Sequence, residues 1–484
     1  MPGFRFPRRR EVQEATAVFG REDADSGGTQ EEEVLEARLQ GLETRDTLER
    51  EDVKPSRCSR TLKLLPLLSL QLFACFSLAF TAPYIPRLAL ENRLERWQFA
   101  IMTSSSKVTM LLGTLLNIVV IQRLKPHITL VLALIGMIAS MGFYGCVYWV
   151  HNVNAFVGAT SLIGILFGFV QAFFIVTLYA TATYKSQQSC GIIISAFEFL
   201  YGACTSTGSM SGIALLDLWA HPVPYFITAG LMLLGLLILI FASPGKSFAI
   251  PKDQADQNSF RLLGNAPMMG NILNVAIIMA ALGFHDGTLE IHLKEEEFRL
   301  PDEEVGAVFT VLHIFYAVGA LFWGYVFSYR LEKEHTSALL GFVMVAVAFL
   351  ILGPAPFLPF PPHMWLIYIS QVLTGLGASA VIICSFSLSI KKSIERGFPD
   401  NMWTYGSVCG FLFFAIVLGS SISPPLSRYI MDTIGYGNAT MVVLAFLCFC
   451  VLLSLMSCVS NSRRRGRILQ HSTPKGVYHK REDP

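Results

Sequence analysis

Apolar runs of about 20 residues recur along the chain between short polar joins, and each is long enough to cross a bilayer as a helix. Read in order, they predict twelve spans, at 62–86, 98–122, 127–150, 154–183, 187–216, 222–243, 268–293, 304–329, 335–355, 363–390, 401–430 and 436–459. The runs do not alternate apolar with polar residues, which excludes a closed β-barrel. Between the sixth and seventh runs lies a polar stretch, Ser243 to Ala266, with Pro244, Gly245, Pro251, Asp253, Asp256 and Asn258. The expectation is an all-α polytopic membrane protein with two six-helix halves. Its domains are a disordered tail at 1–60, a first half at 61–243, a linker at 244–266, a second half at 267–460 and a second tail at 461–484. The first tail holds Arg8-Arg9-Arg10, Glu31-Glu32-Glu33 and few aromatics, too little apolar surface to build a core.

Composition agrees with this pattern. Of 484 residues, 53% are hydrophobic and only 15% charged, far from a soluble average, and mean hydropathy is +0.51. The formal net charge of +2 gives no field that would select nucleic acid. Most of the ten cysteines lie inside apolar runs without zinc-like spacing and read as small packing residues. The polar first 60 residues do not look like a cleavable leader, so the first span is expected to do the targeting. Lys and Arg concentrate in the even-numbered joins and at both ends, which places both termini and the linker in the cytosol. A monomer is expected.

Ionisable groups inside the spans carry the functional signal, because an acid or base in hydrocarbon costs several kcal/mol and marks ion paths or binding sites. Span seven ends in His285-Asp286-Gly287-Thr288-Leu289-Glu290-Ile291-His292. Asp286 and Glu290, four apart, share a helix face, with His285 and His292 on an adjoining stripe. The expectation puts Asp286 where water is scarce; the alternative is a helix that ends at Phe284 and leaves Asp286 at the headgroups. Span five holds Glu198, and span eight holds His313. Span two holds Lys107, which either snorkels to the surface or pairs with Glu198, Asp286 or Glu290. Spans three, six, nine and twelve have no charge in their middles and are expected to face lipid, leaving the others around a polar centre. Gln71, Gln171 and Gln371 read as packing amides that bond across helices. Small residues crowd span five (Gly202, Gly208, Gly212) and span eleven (Gly419 to Ser423, then Pro424-Pro425), as helices that rock between the halves would need.

At this point the chain resembles the vesicular amine transporters of the major facilitator superfamily (solute carrier family 18), and among them the polyamine branch. Pro83-Tyr84-Ile85-Pro86 is similar to the close of that family's first helix. Ser105-Ser106-Lys107-Val108 with Asn117 is similar to its second, Phe197-Glu198 with Gly202, Gly208 and Gly212 to its fifth, His285-Asp286-Gly287-Thr288-Leu289 to its seventh, and Tyr405-Gly406-Ser407-Val408 with Pro424-Pro425 and Ile434-Gly435 to its eleventh. The resemblance implies a proton antiporter for cationic amines, with Asp286 and Glu198 binding proton or amine and Lys107 in a charge network. Departures accompany it: the monoamine members' acids in helices one, eleven and ten fall at Ala74, Phe413 and near Val381, and the loop-two signature keeps only Arg123.

The reading is a secondary active transporter exchanging an organic cation, such as a polyamine or monoamine, for protons. Its substrate and proton candidates are Asp286, Glu198, Lys107, Glu290 and His292, and its gating candidates are Gly208, Gly212, Pro424, Pro425 and Arg123. Its partners are that cation, protons and the bilayer; no cofactor and no nucleic acid are called for. Two alternatives stand: a carrier of an anionic or neutral solute with Lys107 as the binding charge, and a transporter-like scaffold or sensor that moves nothing. An enzyme is not expected, since no nucleophile motif, phosphate loop or metal-ligand set stands out; the His285/His292 pair alone is weak for a metal.

Overall fold

The computed structural model describes residues 57–121, 123–215, 218, 220–242, 259–294, 298–329, 334–353 and 363–472. The first tail, most of the linker, Asp217 and the acidic run Glu295-Glu296-Glu297 lie outside the described residues. Residues 64–484 form one compact unit. Residues 1–63 form another, described only from Arg57, where the first helix begins.

Among the described residues there is helix and no strand. Helix α1 (Arg57–Thr81) breaks at Pro83 and resumes as Tyr84–Glu91, with Pro86 in the first turn where a missing N–H is harmless. Then come α2 (Arg96–Val120), α3 (Pro126–Cys146), α4 (Val153–Lys185), α5 (Cys190–Ala214) and α6 (Pro222–Ala242). The second half follows as α7 (Ala266–Lys294), α8 (Asp302–Tyr329), α9 (Glu334–Leu352), α10 (Met364–Glu395), α11 (Met402–Ile434) and α12 (Tyr436–Ser472). Eleven described helices are long and apolar enough to cross a membrane, and α9 adds a shorter apolar one. The twelve expected spans are thus matched one for one.

Local signals set the ends. Glu95 and Gln98 form a reciprocal capping box at the start of α2, and the side chains of Asn152 and Asn401 accept backbone N–H bonds at the starts of α4 and α11. Gly435, at φ 80°, ends α11 in a conformation that favours glycine. Within α11, Pro424 and Pro425 interrupt no helix assignment. Helix α12 continues through the Arg463-Arg464-Arg465 run to Ser472, past the point where the sequence pattern stops.

The halves repeat one packing plan. Helix α2 lies on α4 and α8 on α10; α3 lies on α6 and α9 on α12. Helix α5 meets α1, and α11 meets α7, through small residues: Gly208 and Gly212 against Ala79, Phe80 and Pro83, and Gly419 against Ala276, Met279 and Ala280. Helices α3, α6, α9 and α12 make their main contacts inside their own half, as expected for lipid-facing helices.

The halves meet along two main seams, α2 with α11 and α5 with α8, flanked by contacts of α4 with α11 and α5 with α10. The face that carries the start of α1 and the end of α12 is called here the tail face, and the opposite one the loop face. At the tail face Ile121 and Ile118 of α2 sit over Gly406 and Gly410 of α11, so closely that a Cβ at Gly406 would lie 2.6 Å from the Ile121 Cδ1. Tyr184 packs edge-on against Tyr405, and Gln187 donates to Asp400 at 3.1 Å. Toward the loop face Ser104, Lys107 and Val108 of α2 are exposed. Trp403 and Ser407 of α11 both donate to the Ser259 hydroxyl, at 2.9 and 3.0 Å, which pins the end of the linker to the tail face.

Two gating expectations change here. Gly208 and Gly212 do not lie between the halves; they let α1 approach α5 within one half, and Gly202 is the α5 glycine that faces α8. Pro424 likewise packs inside its own half, against Gly283 and Gly287 of α7. Arg123 is exposed, and no ion pair to it is found among the described residues.

Candidate functional site

Glu198 sits on α5, about 12 Å in from the tail-face end at 1.5 Å per residue. Its residue exposure is 5%. Both carboxylate oxygens are occupied. The Tyr179 hydroxyl, from α4, donates to Oε1 at 3.0 Å, and the Tyr316 hydroxyl, from α8, donates to Oε2 at 2.6 Å. Glu198 is therefore held by one phenol from each half. Phe197, Phe386 and Phe413 surround Tyr179, with ring centroids at 4.9, 5.9 and 4.9 Å. Tyr201, one turn on from Glu198, stands edge-on to Tyr316 at 5.9 Å. Among the described residues no Lys, Arg or His bonds to Glu198.

Asp286 lies differently. It is about 12 Å in from the loop-face end of α7. Its side chain is 63% exposed, so the expectation of a dry Asp286 is corrected: the dry acid is Glu198. The charge of Asp286 acts on Lys107 of α2, Tyr201 of α5 and His313 of α8. Those helices come from both halves, which places Asp286 on the gap between them. Lys107, about 16 Å in from the start of α2, reaches a similar depth. The Ser105 and Ser106 that precede it pack against Gly164 and Gly168 of α4 and hold that stretch of α2 in place.

The remaining candidates on α7 separate. Glu290 shares the exposed face with Asp286, as the spacing predicts, but its partner is Lys294 at 2.7 Å. His292 is buried and stacks on Tyr436 at 3.9 Å, away from that face. His285 is fully buried, with Nδ1 3.4 Å from Asp286 and its ring edge-on to Phe309 of α8. Gln71 and Gln371 are buried, each leaving its Oε1 without a bonding partner. An apolar cavity of about 690 Å³ lies between α2, α3 and α4, lined by Thr109, Phe143, Leu166 and Phe169 among others. None of the candidate residues lines it.

The sequence reading missed Tyr179, Tyr201 and Tyr316. In an apolar run a tyrosine reads as an aromatic packing residue, and nothing in the spacing tells that its hydroxyl finds a carboxylate. A search for phenols near the expected depth of Glu198 would have found Tyr201 one turn away, but not the two donors from α4 and α8.

Residues 264–477 match the sequence model of the Major Facilitator Superfamily. The chain is 26% identical over 335 residues to the MFS-type transporter SLC18B1 of Homo sapiens, covering 63% of this chain and 71% of that protein. It is 26% identical to the Mus musculus and Rattus norvegicus proteins of the same name, covering 50% of this chain and 52% of each, so it spans about half the length of those two. Among solved structures, FucP in the outward conformation aligns with a TM-score of 0.62 at 13% identity, covering 81% of this chain and 98% of that one. The human organic anion transporter MFSD10 (TETRAN) aligns at 0.59 and 14% identity, covering 83% and 99%. At such identities these structures speak for the fold alone. The fold is that of the major facilitator transporters, and the resemblance to solute carrier family 18 read from the motifs is borne out.

Proposed function

We propose that this membrane transporter exchanges an organic cation, of the polyamine or monoamine class, for protons. One observation carries the reading: Glu198 is an enclosed carboxylate at the joint of the halves, satisfied by two hydroxyls and paired with no cationic side chain among the described residues. A negative charge so placed takes a proton or an organic cation as its counterion. Asp286 and Lys107 largely offset one another on the gap nearer the loop face. A cation leaving Glu198 toward the loop face passes that pair, and Tyr201 is coupled electrostatically to both acids. The aromatic rings beside Glu198 favour an ammonium through their π faces. In this reading both termini are cytosolic, the tail face is the cytosolic face, and the membrane is that of a vesicle or the cell surface. A carrier of anions would leave the enclosed charge at Glu198 without a purpose.

The test is uptake of labelled spermidine into proteoliposomes with an acidic interior, with a dicarboxylate of similar length as competitor. The expected result is proton-driven uptake that the dicarboxylate does not inhibit. Glu198→Gln should lose about tenfold or more, the scale of a hydrogen-bonded charge. Undiminished proton-driven uptake in Glu198→Gln removes the assignment.

A further inference from the structure

The two bonds on Glu198 are not equivalent. Tyr179 belongs to the same half as Glu198, whereas Tyr316 comes from the other. The bond across the halves is also the shorter, 2.6 against 3.0 Å, and falls in the range of charge-assisted O–H···O⁻ bonds. Such bonds are roughly twice as strong as their neutral counterparts, so the cross-half bond weakens when Glu198 is protonated. A neutral carboxyl also gains an O–H donor and leaves its hydroxyl oxygen a weaker acceptor, which weakens the bond donated to that oxygen. The other ties between the halves at the tail face, Ile118 and Ile121 over glycine and Gln187 on Asp400, do not involve Glu198.

We propose that the Tyr316–Glu198 bond is a latch that keeps the tail face shut while the carrier is empty. This rests on the reading of Glu198 above and extends it. With Glu198 ionised and unoccupied, Tyr316 ties α8 to α5 and the tail face stays closed. A proton arriving from the loop face neutralises the carboxyl, Tyr316 is released, and the tail face opens. There the proton leaves and a cation takes its place, so the seam closes again over an occupied Glu198. Release of the cation toward the loop face restores the bond. An empty carrier with an ionised Glu198 therefore does not open its tail face until a proton arrives. Tyr316 is a positioning residue here, acting through Glu198. The titratable groups that face Glu198 are Tyr179 from α4, Tyr316 from α8, Cys75 from α1 and Tyr201 of α5 itself. Among the described residues, α10 and α11 bring Phe386 and Phe413 against Tyr179.

The experiment uses the full chain in proteoliposomes with Thr114→Cys, a buried position in the α2–α11 seam. Labelling by an impermeant maleimide from the tail face is read at residue 114 by peptide mass spectrometry as the loop-face side is acidified. Without further change, labelling should rise on acidification. With Tyr316→Phe added, labelling should be high throughout, about tenfold above the neutral-pH level of the parent, and its pH dependence should vanish. With Tyr179→Phe, which removes the same hydroxyl from the tether within one half, the pH dependence should persist. Glu198→Gln should behave like Tyr316→Phe. Retention of the parent's pH-dependent labelling in Tyr316→Phe overturns the latch, as does its loss in Tyr179→Phe alone. Spermidine uptake in the parent separates the two levels: if uptake is proton-driven but Tyr316→Phe labels like the parent, the exchange reading stands and the latch falls.

Discussion

The seams α2–α11 and α5–α8 occupy equivalent places in the two repeats, yet they are built from different chemistry. In each, a glycine lets the facing helix come to backbone distance: Gly410 of α11 receives Thr114 and Ile118, and Gly202 of α5 receives His313 and Ala317. One turn nearer the tail face the two diverge. On α11 stands Gly406, filled by the Ile121 side chain; on α5 stands Glu198, held by a phenol from α8. The first seam is dry and indifferent to charge, so only a change of shape opens it. In the proposed cycle the second is loosened by a proton. An antiporter with this arrangement needs a titratable group in one seam only, and the plain seam can then serve as a passive closure.

The comparison can be broken most severely at Gly410. A leucine there would overlap Ile118 and hold the α2–α11 seam apart, so Gly410→Leu should cut the initial uptake rate by about a hundredfold while residue 114 labels freely, overpacking of this kind costing roughly 1–3 kcal/mol or more. Gly202→Ala makes the corresponding insult to the other seam with a smaller group. Its Cβ would lie 2.9 Å from two backbone atoms of α8, and the expected loss is about tenfold, since an added methyl in a tight site costs on the order of 1–2 kcal/mol. Asp286→Asn lies outside both seams, in wetter surroundings. It should raise KM for spermidine severalfold with kcat little changed, the pattern of lost uniform binding. Glu290→Gln removes an exposed i,i+4 pair with Lys294 worth about 0.3–0.5 kcal/mol, and uptake and thermal stability should stay within error of the parent.

The helical architecture was legible in the sequence because span length depends only on run length and composition. The glycines of α5 were legible as points of close approach but not as to which helix approaches. A small residue reports that something comes near, and Gly202, at the same level of evidence, faces α8 while Gly208 and Gly212 face α1. Glu198 and Asp286 were both visible as acids in apolar runs. Their order of burial was not, because exposure at a given depth depends on which way the face turns, and Asp286 turns to the gap between the halves. Lys107 and Asp286 were named as possible partners from their types alone. Tyr179 and Tyr316 were invisible, since their role depends on two helices, α4 and α8, meeting α5 from opposite sides.

Helix α4 has a consequence beyond the seams. Near its middle Gly164 and Gly168 bring it to backbone distance from the Ser105-Ser106 stretch that bears Lys107, and nearer its tail-face end it supplies Tyr179. Between these points Asn117 of α2 donates to Thr177 at 3.2 Å. Two rods fastened at several points along their length behave as one stiff lever. The Lys107 ammonium and the Tyr179 phenol that bonds Glu198 should therefore keep a constant separation while everything across the gap moves. Spin labels at 107 and 179 would serve as a ruler that reads alike in every stage of the cycle.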